Sequence, residues 1–300
     1  MSLTRTWIPP GPYDLGSNLR VLQRGPYDPT YRRESSAVWR GTRTPDGPAA
    51  LRLCAVSGAV RGEAWGPGAA WVLDGLPALL GAEDEPAEFV PHHALTREAQ
   101  RRNPGLRLIR TGRVLESLIP SVLEQKITTE EAYRAWRRLV RGFGERAPGP
   151  HPDLWVMPAP RDWLRVPSWE WHRAGVDQKR SAAILRAVQR ASRMEEAAHM
   201  TLDAALARLQ AIPGIGPWTA AEALQRSNGA PDAVTVGDLH LPRIVTYALT
   251  GERNGDDARM LELLAPYEGQ RHRASRLINT TGRVPPRREP KREIGNIAPL

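Results

Sequence analysis

The stretch 209–243 constrains this chain most, because two glycines lie between two helical patterns and one aspartate follows in an apolar run. Apolar residues recur at helical spacing behind Thr201, and a second apolar stripe begins after Pro217, which suits the first turn of a helix. The stripes consist of Leu202, Ala205, Leu206 and Leu209 before the glycines and Ala220, Ala221 and Leu224 after them. The spacing predicts a helix, a turn at 213–216 and a second helix.

The turn itself predicts an anion site. Gly214 and Gly216 can take positive φ and let a foreign backbone come close. Free N–H groups at the start of the second helix favour an anion, and a DNA phosphate is the expected ligand. An ordinary corner between two helices, with glycines that serve only the turn, is the alternative.

One carboxylate, Asp238, follows in the apolar run 233–241. An acid there is costly unless it has partners or a task. As a structural residue it would cap a helix that begins at about Leu239. The two roles are compatible, because a helix N-terminus favours an ionised carboxylate and an oxocarbenium-like transition state needs one beside it.

The segments IPGIGPWTAAEAL and VTVGDLHLPR resemble the helix-hairpin-helix DNA glycosylase superfamily, and within it the 3-methyladenine DNA glycosylase II branch. This resemblance implies that Asp238 is the catalytic carboxylate and that the hairpin binds backbone phosphate. It also implies a monovalent cation, Na⁺ or K⁺, on the carbonyls of Gln210, Ile212 and Ile215, with no other cofactor required. Members that also cleave the strand carry a lysine two residues after the second glycine. Here that residue is Trp218, which implies a monofunctional enzyme.

The resemblance extends upstream to the turn at 124–127, which precedes a predicted capping box of Thr128 and Glu131. In the family, residues at this turn enter the duplex and fill the gap left by the extruded nucleotide. Lys126 stands where the branch often has an apolar wedge, so a solvated lysine is the alternative, and Gln125 is the better candidate for a DNA contact. The residues expected to contact DNA are Gln125, Lys126, Pro213, Gly214, Ile215, Gly216, Thr219 and Arg243.

The expected base pocket contains Trp218 and Glu222, one helical turn apart. A cationic base stacks well on an aromatic face, whereas core packing is the commoner role of a tryptophan. The branch often has an aromatic residue in place of Glu222. A carboxylate there leaves three roles open: pairing with a cationic base, acting as an acid for a neutral one, or pairing with a surface arginine.

Composition agrees with a DNA partner. The 42 Lys and Arg residues against 33 Asp and Glu give a formal charge of +9 and a pI near 10.3, which favours polyanions. The single cysteine, Cys54, excludes an intrachain disulfide and a four-cysteine iron–sulfur cluster. No apolar run is long enough to span a bilayer and no signal-peptide pattern is found, so a monomeric cytoplasmic protein without a membrane partner is expected.

The expected fold class is α+β: a mainly helical glycosylase core preceded by a small mixed sheet domain. Strands are predicted at 36–43, 49–57 and 70–73. The predicted domains are 1–104 (the small α+β domain), 105–282 (the helical core) and 283–300 (a basic tail rich in proline and arginine). Within the core, the hairpin occupies 209–226 and the aspartate segment occupies 233–243.

The function expected from these residues is excision of a damaged base from double-stranded DNA in base excision repair, which leaves an abasic site. An alkylated purine is already cationic, so it leaves without the second carboxyl group that ordinary glycoside hydrolysis employs. A site with one carboxylate therefore favours alkylated purines. Two alternatives remain: a glycosylase for an oxidised, deaminated or bulky lesion, and a hairpin module that binds DNA without catalysis.

Overall fold

An antiparallel sheet of five strands forms the first part of the chain in the computed structural model, which describes residues 2–286. The strand order across the sheet is β1-β5-β4-β3-β2, so β2 to β5 form a meander and β1 pairs with the last strand. The strands are β1 (Leu3–Trp7), β2 (Tyr31–Glu34), β3 (Ala37–Thr44), β4 (Gly47–Val56), β5 (Ala59–Trp65), and a short ribbon of β6 (Glu145–Arg146) with β7 (Trp155–Val156). The predicted strands at 36–43 and 49–57 are confirmed as β3 and β4.

The third predicted strand, 70–73, is wrong. These residues belong to helix α2 (Ala69–Asp74), in which Ala69, Val72 and Leu73 are buried at helical spacing. The helix lies on the sheet, where a Cβ on Gly62 of β5 would come within 3.3 Å of Leu73. A run of four apolar residues is compatible with both the helical and the strand period, so the sequence alone does not distinguish the two. In the structure the run forms a helix that packs on the sheet.

Helices make up most of the remaining chain, which confirms the α+β class. The other helices are α1 (Leu15–Leu19), α3 (Leu76–Leu79), α4 (Ala94–Arg102), α5 (Val114–Leu123), α6 (Thr129–Phe143), α7 (Pro160–Trp163), α8 (Ser168–Arg173), α9 (Gln178–Gln189), α10 (Ala191–Glu195), α11 (Leu202–Gln210), α12 (Pro217–Ser227), α13 (Leu241–Thr250), α14 (Asp257–Leu264) and α15 (Arg271–Thr280). Within residues 2–286, none of them has the length and apolar character needed to cross a bilayer.

Helix α5 is the centre of the main apolar core, to which α6, α9, α11 and α12 also contribute. All residues of α5 except Glu116 are buried. Glu116 instead accepts hydrogen bonds from the hydroxyl of Thr42 and the backbone N–H of Arg43, both at 2.6 Å. This carboxylate therefore joins the helical core to strand β3.

A second helical cluster combines α4 with α13, α14 and α15. Phe89 and Ala99 belong to this cluster, although the sequence placed them in the segment 1–104. Residues 89–104 thus pack with the C-terminal helices, while the sheet has its own core with α1, α2 and α3. The predicted tail lies outside the described residues from position 287 onward.

Candidate active site

The hairpin joins α11 to α12 as the spacing predicts: α11 ends at Gln210 and α12 begins at Pro217. Gly214 has φ +98°, and a Cβ there would lie 2.8 Å from the Cβ of Ala183 on α9, so conformation and space both require glycine. Gly216 is extended, with φ −94° and ψ 179°, so of the two glycines only Gly214 uses the positive φ that both can take. A Cβ on Gly216 would meet nothing within 4 Å, which leaves open space before the first turn of α12.

Some backbone groups of the hairpin already make hydrogen bonds within the protein. The N–H of the buried Ile215 donates to the carbonyl of Ile212 at 3.0 Å, so this N–H is not free for a phosphate. The guanidinium of Arg186 donates to the carbonyl of Pro213 at 3.2 Å. Each carbonyl has a second lone pair, and the last carbonyls of α11, including that of Gln210, lack helical partners. This donor set fits Na⁺ or K⁺.

No group of three His, Cys, Asp or Glu side chains that could hold a metal ion is found among residues 2–286. The cation on the carbonyls of Gln210, Ile212 and Ile215 stays a prediction.

Gln125 connects the turn at 124–127 to the hairpin. Its amide nitrogen donates to the carbonyl of Gly214 at 2.9 Å and to the hydroxyl of Thr219 at 2.8 Å. The expected DNA-contacting side chain of Thr219 is thus buried and bonded to Gln125, whose side-chain oxygen is the atom left to contact DNA. The turn and the hairpin form one connected unit.

Lys126 lies in that turn, is exposed, and has φ +58°. A residue other than glycine in this left-handed region costs about 1–3 kcal/mol, and such residues cluster at functional sites. The predicted capping box of Thr128 and Glu131 is confirmed and begins α6 directly after the turn. The turn is therefore fixed on both sides while Lys126 remains accessible.

Asp238 is half-buried, and both of its carboxylate oxygens accept hydrogen bonds. Oδ1 accepts from the backbone N–H groups of His240 and Leu241, each at 2.7 Å. Oδ2 accepts from the indole N–H of Trp218 at 2.8 Å. Helix α13 begins at Leu241 and not at about Leu239, and its N-cap position is His240 and not Asp238. Asp238 instead bonds the N–H groups of the turn that leads into the helix, including that of Leu241.

Trp218 therefore holds the carboxylate through the edge of its ring. Neither of the two roles considered from the sequence, stacking on a base or core packing, includes this hydrogen bond. Three N–H donors together fix the orientation of Asp238. Arg243, in the first turn of α13, is exposed, and its side chain makes no hydrogen bond or ion pair with other residues of 2–286.

Glu222 pairs with Arg226, one turn further along α12. Its Oε2 lies 2.7 Å from a guanidinium nitrogen of Arg226, and the two side chains are only 16% and 15% exposed. The Nε–H of Arg226 also donates to the carbonyl of Val21 at 2.9 Å. Of the three roles left open for Glu222, pairing with an arginine is the one observed, but Arg226 is largely buried against the N-terminal segment and is not a surface arginine.

Glu124, at the end of α5, and Tyr133 of α6 both interact electrostatically with Arg226. Glu124 and Arg24 form an ion pair at 2.8 Å. Burial raises the pKa of Tyr133, and the nearby Glu124 adds to the shift. Tyr133 is thus a neutral side chain at physiological pH, close to two ion pairs: Arg24 with Glu124 and Arg226 with Glu222.

Helix α15 contributes two more titratable side chains. Burial, followed by the positive charges of Arg276 and Arg226, lowers the pKa of His272 well below 6.5. Burial, followed by Arg226 and Arg273, lowers the pKa of Arg276 to about 10. His272 is therefore neutral and Arg276 is charged at pH 7.

Comparison with models of known protein families finds no match. A DNA-3-methyladenine glycosylase of Bacillus subtilis is 28% identical over 186 residues, which cover 60% of this chain and 61% of the relative. A probable bifunctional transcriptional activator and DNA repair enzyme of Mycobacterium tuberculosis is 29% identical over 139 residues, which cover 46% of this chain and 28% of the relative. The matches span less than two thirds of the length of both relatives.

Solved structures decide the fold. A 3-methyladenine DNA glycosylase from Archaeoglobus fulgidus superposes with a TM-score of 0.75 at 17% identity, over 91% of this chain and 96% of the other. The chain has the fold of the helix-hairpin-helix DNA glycosylases. A glycosylase/lyase for 8-oxoguanine from Clostridium acetobutylicum, solved with DNA, superposes with a TM-score of 0.71 at 10% identity, over 90% and 92% of the chains.

The predicted resemblance to the 3-methyladenine branch is confirmed as a similarity in sequence to the Bacillus subtilis relative, and the solved structures confirm the fold. The sequence patterns identified the hairpin and Asp238 but missed Arg226, His272 and Arg276. Arg226 follows Glu222 by four residues, a spacing that signals a helical ion pair. No local signal marks His272 or Arg276, because they reach α12 through the tertiary fold.

Proposed function

We propose that this protein is a monofunctional DNA glycosylase that hydrolyses the N-glycosidic bond of a damaged purine turned out of the duplex, and so leaves an abasic site. The observation that carries this proposal is Asp238, a lone carboxylate held by three N–H donors at 2.7–2.8 Å, one of which comes from the first turn of the hairpin helix. A carboxylate fixed in this way is suited to stabilise charge on a sugar.

The magnitude of that stabilisation is sufficient for catalysis. Cleavage develops positive charge on the deoxyribose. A carboxylate about 4 Å away, at an effective dielectric of about 20, stabilises that charge by about 4 kcal/mol, which is roughly a thousandfold in rate. Asp238 also orients the attacking water in this proposal.

Alkylated purines are the proposed first substrates. Such a base carries a positive charge before the bond breaks, so it leaves without an acid. The names of the relatives support this choice, since the Bacillus subtilis protein is called a DNA-3-methyladenine glycosylase.

Strand cleavage is not part of the proposal. A lyase needs an amine beside the sugar to form a Schiff base. Trp218 occupies the position of the lysine in strand-cleaving members, and its indole N–H is bonded to Asp238. Sodium borohydride is therefore expected to trap no covalent adduct between the protein and DNA, and efficient trapping would contradict the monofunctional assignment.

Double-stranded DNA is the proposed partner, and the hairpin is its anchor. Gly214 and Gly216 allow a phosphate to approach the first turn of α12, where N–H groups point outward. Lys126 and Arg243 are exposed cations that can contact other phosphates. A Na⁺ or K⁺ ion on the hairpin carbonyls would add positive charge at the same place.

The test compares Asp238→Asn with Asp256→Asn on duplexes that carry one alkylated purine. Asp256 is the matched control because it is an exposed carboxylate that caps α14 with a bond of 2.9 Å to the N–H of Arg259. Asp238→Asn is expected to lower single-turnover base release by roughly a thousandfold while DNA affinity stays unchanged, and Asp256→Asn is expected to behave as the wild type. Equal release by all three proteins would refute the enzymatic proposal.

A further inference from the structure

The turn 124–127 is held in a conformation that a free loop rarely adopts. Lys126 has φ +58°, and a residue other than glycine keeps this backbone conformation only where the surrounding structure fixes it. Gln125 provides one such contact through its bonds to the hairpin, and the capping box that begins α6 provides another. The first residue of the turn, Glu124, makes a third contact, which reaches the N-terminal part of the chain.

Arg24 is the partner of Glu124, and it lies between α1 and β2 in the sheet domain, by which we mean the five-stranded sheet with α1 to α3 and their connections. Its Nη1 donates to Oε1 of Glu124 at 2.8 Å, and the two side chains are only 6% and 16% exposed. A buried ion pair contributes little net stability over apolar side chains of the same size, but its directional bond specifies one geometry. The pair therefore fixes Glu124 relative to the sheet domain.

The backbone around Arg24 is itself anchored on α6. The N–H of Arg24 donates to Oδ2 of Asp28 at 2.6 Å, and Oδ1 of this fully buried carboxylate accepts from the indole N–H of Trp136 at 3.1 Å. Gly25 has φ +83°, and a Cβ there would lie 2.5 Å from the ring of Tyr133. Trp136 and Tyr133 both belong to α6, so the loop that carries Arg24 is fixed against the helix that follows the turn.

On its other side the turn borders the proposed site. Gln125 donates to the hydroxyl of Thr219 at 2.8 Å, and the residue before Thr219 is Trp218, whose indole N–H bonds Asp238. Lys126 is exposed at the same turn. Hydrogen bonds thus connect the sheet domain to the turn and the turn to the hairpin helix beside the proposed catalytic carboxylate.

We infer that Arg24 is a positioning residue: through Glu124 it fixes the turn 124–127 in the shape that supports the duplex around an extruded nucleotide. This inference rests on the proposed function and gives the sheet domain a part in it. Extrusion costs pairing and stacking free energy. A turn that is already fixed loses little entropy when it contacts the duplex, whereas a turn released from Arg24 has to be ordered during extrusion.

The effect of releasing the turn depends on how firmly the damaged base is paired. For a paired base the stacked state is favoured, so a lower extrusion equilibrium lowers the rate of base release in proportion. For a mispaired base extrusion costs less. Where the extruded state is already favoured, the same change leaves most of the nucleotides extruded and the rate almost unchanged. A variant that is merely less stable would lose both activities alike.

The test measures single-turnover release of 7-methylguanine by the full-length protein, from a duplex with cytosine opposite the lesion and from one with adenine, a mispair. The double variant Arg24→Met with Glu124→Gln removes both charges, so neither is left buried without its partner. It is expected to release the paired base roughly tenfold more slowly than the wild type, as for loss of one charged hydrogen bond, and the mispaired base at the wild-type rate. Arg24→Lys keeps the charge and is expected to lose less of the paired activity.

The matched control is Arg43→Met with Glu145→Gln. This ion pair joins β3 to β6 and includes no residue of the turn, so both rates are expected to stay at the wild-type value, and thermal unfolding shows whether each variant is folded. An equal loss on both duplexes in the folded Arg24 double variant, no loss on either, or the same selective loss in the control overturns this inference alone. Release from neither duplex by the wild type overturns the proposed function.

Discussion

Replacing Trp218 by phenylalanine isolates the indole bond that orients the carboxylate. Phenylalanine retains much of the apolar packing but removes the N–H that donates to Oδ2 of Asp238 at 2.8 Å. A hydrogen bond to a charged group contributes about 1.5–3 kcal/mol. Two backbone N–H groups still hold Oδ1, so we expect the lower half of that range to be lost, which lowers base release roughly 10- to 50-fold.

The assay is single-turnover release of an alkylated purine, with DNA affinity measured in parallel. The loss is expected in the rate of the chemical step and not in affinity, because the bond acts on the catalytic group. Trp169→Phe is the matched control, since Trp169 on α8 is 61% exposed and is expected to have no effect. A wild-type rate for Trp218→Phe, or a loss confined to affinity, would refute the positioning role of the indole.

Two further predictions concern stability. Asp84→Ala leaves the guanidinium of Arg273 buried without its partner, so the free energy of unfolding is expected to fall by about 3–5 kcal/mol. Asp74→Ala, at an exposed position, is the control in denaturant unfolding, and similar small effects of both variants would contradict the prediction. His272 has a folded pKa below its unfolded value near 6.5, so the unfolded state binds the extra proton and stability falls as pH drops below about 6.5. Urea unfolding from pH 7.5 to 5 tests this slope, which His272→Gln is expected to reduce; an equal slope in both proteins would contradict it.

Local patterns in the sequence were sufficient to predict the elements that carry the site. Pro217 predicted the start of α12, and Thr128 with Glu131 predicted the start of α6. The hairpin and Asp238, at their spacing in the sequence, carried the resemblance to the DNA glycosylases. The signals for the two helix starts act over a few residues and depend little on the rest of the chain, so both starts are confirmed. The start of α13 was misplaced by two residues because Asp238 satisfies the N–H groups of its own turn.

Interactions between distant elements could not be predicted in the same way. Trp218 and Asp238 were both singled out, yet the bond between them depends on how α12 meets a loop twenty residues later. Arg276 lies in a segment so rich in arginine that the pattern is typical of a solvated helix. Its partial burial follows from the docking of α15 at Pro231, which no local spacing encodes. For the same reason the apolar run 70–73 was assigned to a strand.

The central claim is that the carboxylate of Asp238 lies against the sugar of an extruded nucleotide while the hairpin holds the strand. A crystal structure of Asp238→Asn bound to a duplex with one damaged purine measures this directly. The proposal predicts C1′ of the damaged nucleotide about 4 Å from the side chain of residue 238, the separation used for the charge interaction, with a phosphate at the first turn of α12. A nucleotide that remains stacked in the duplex, or a sugar beyond reach of residue 238, would contradict it.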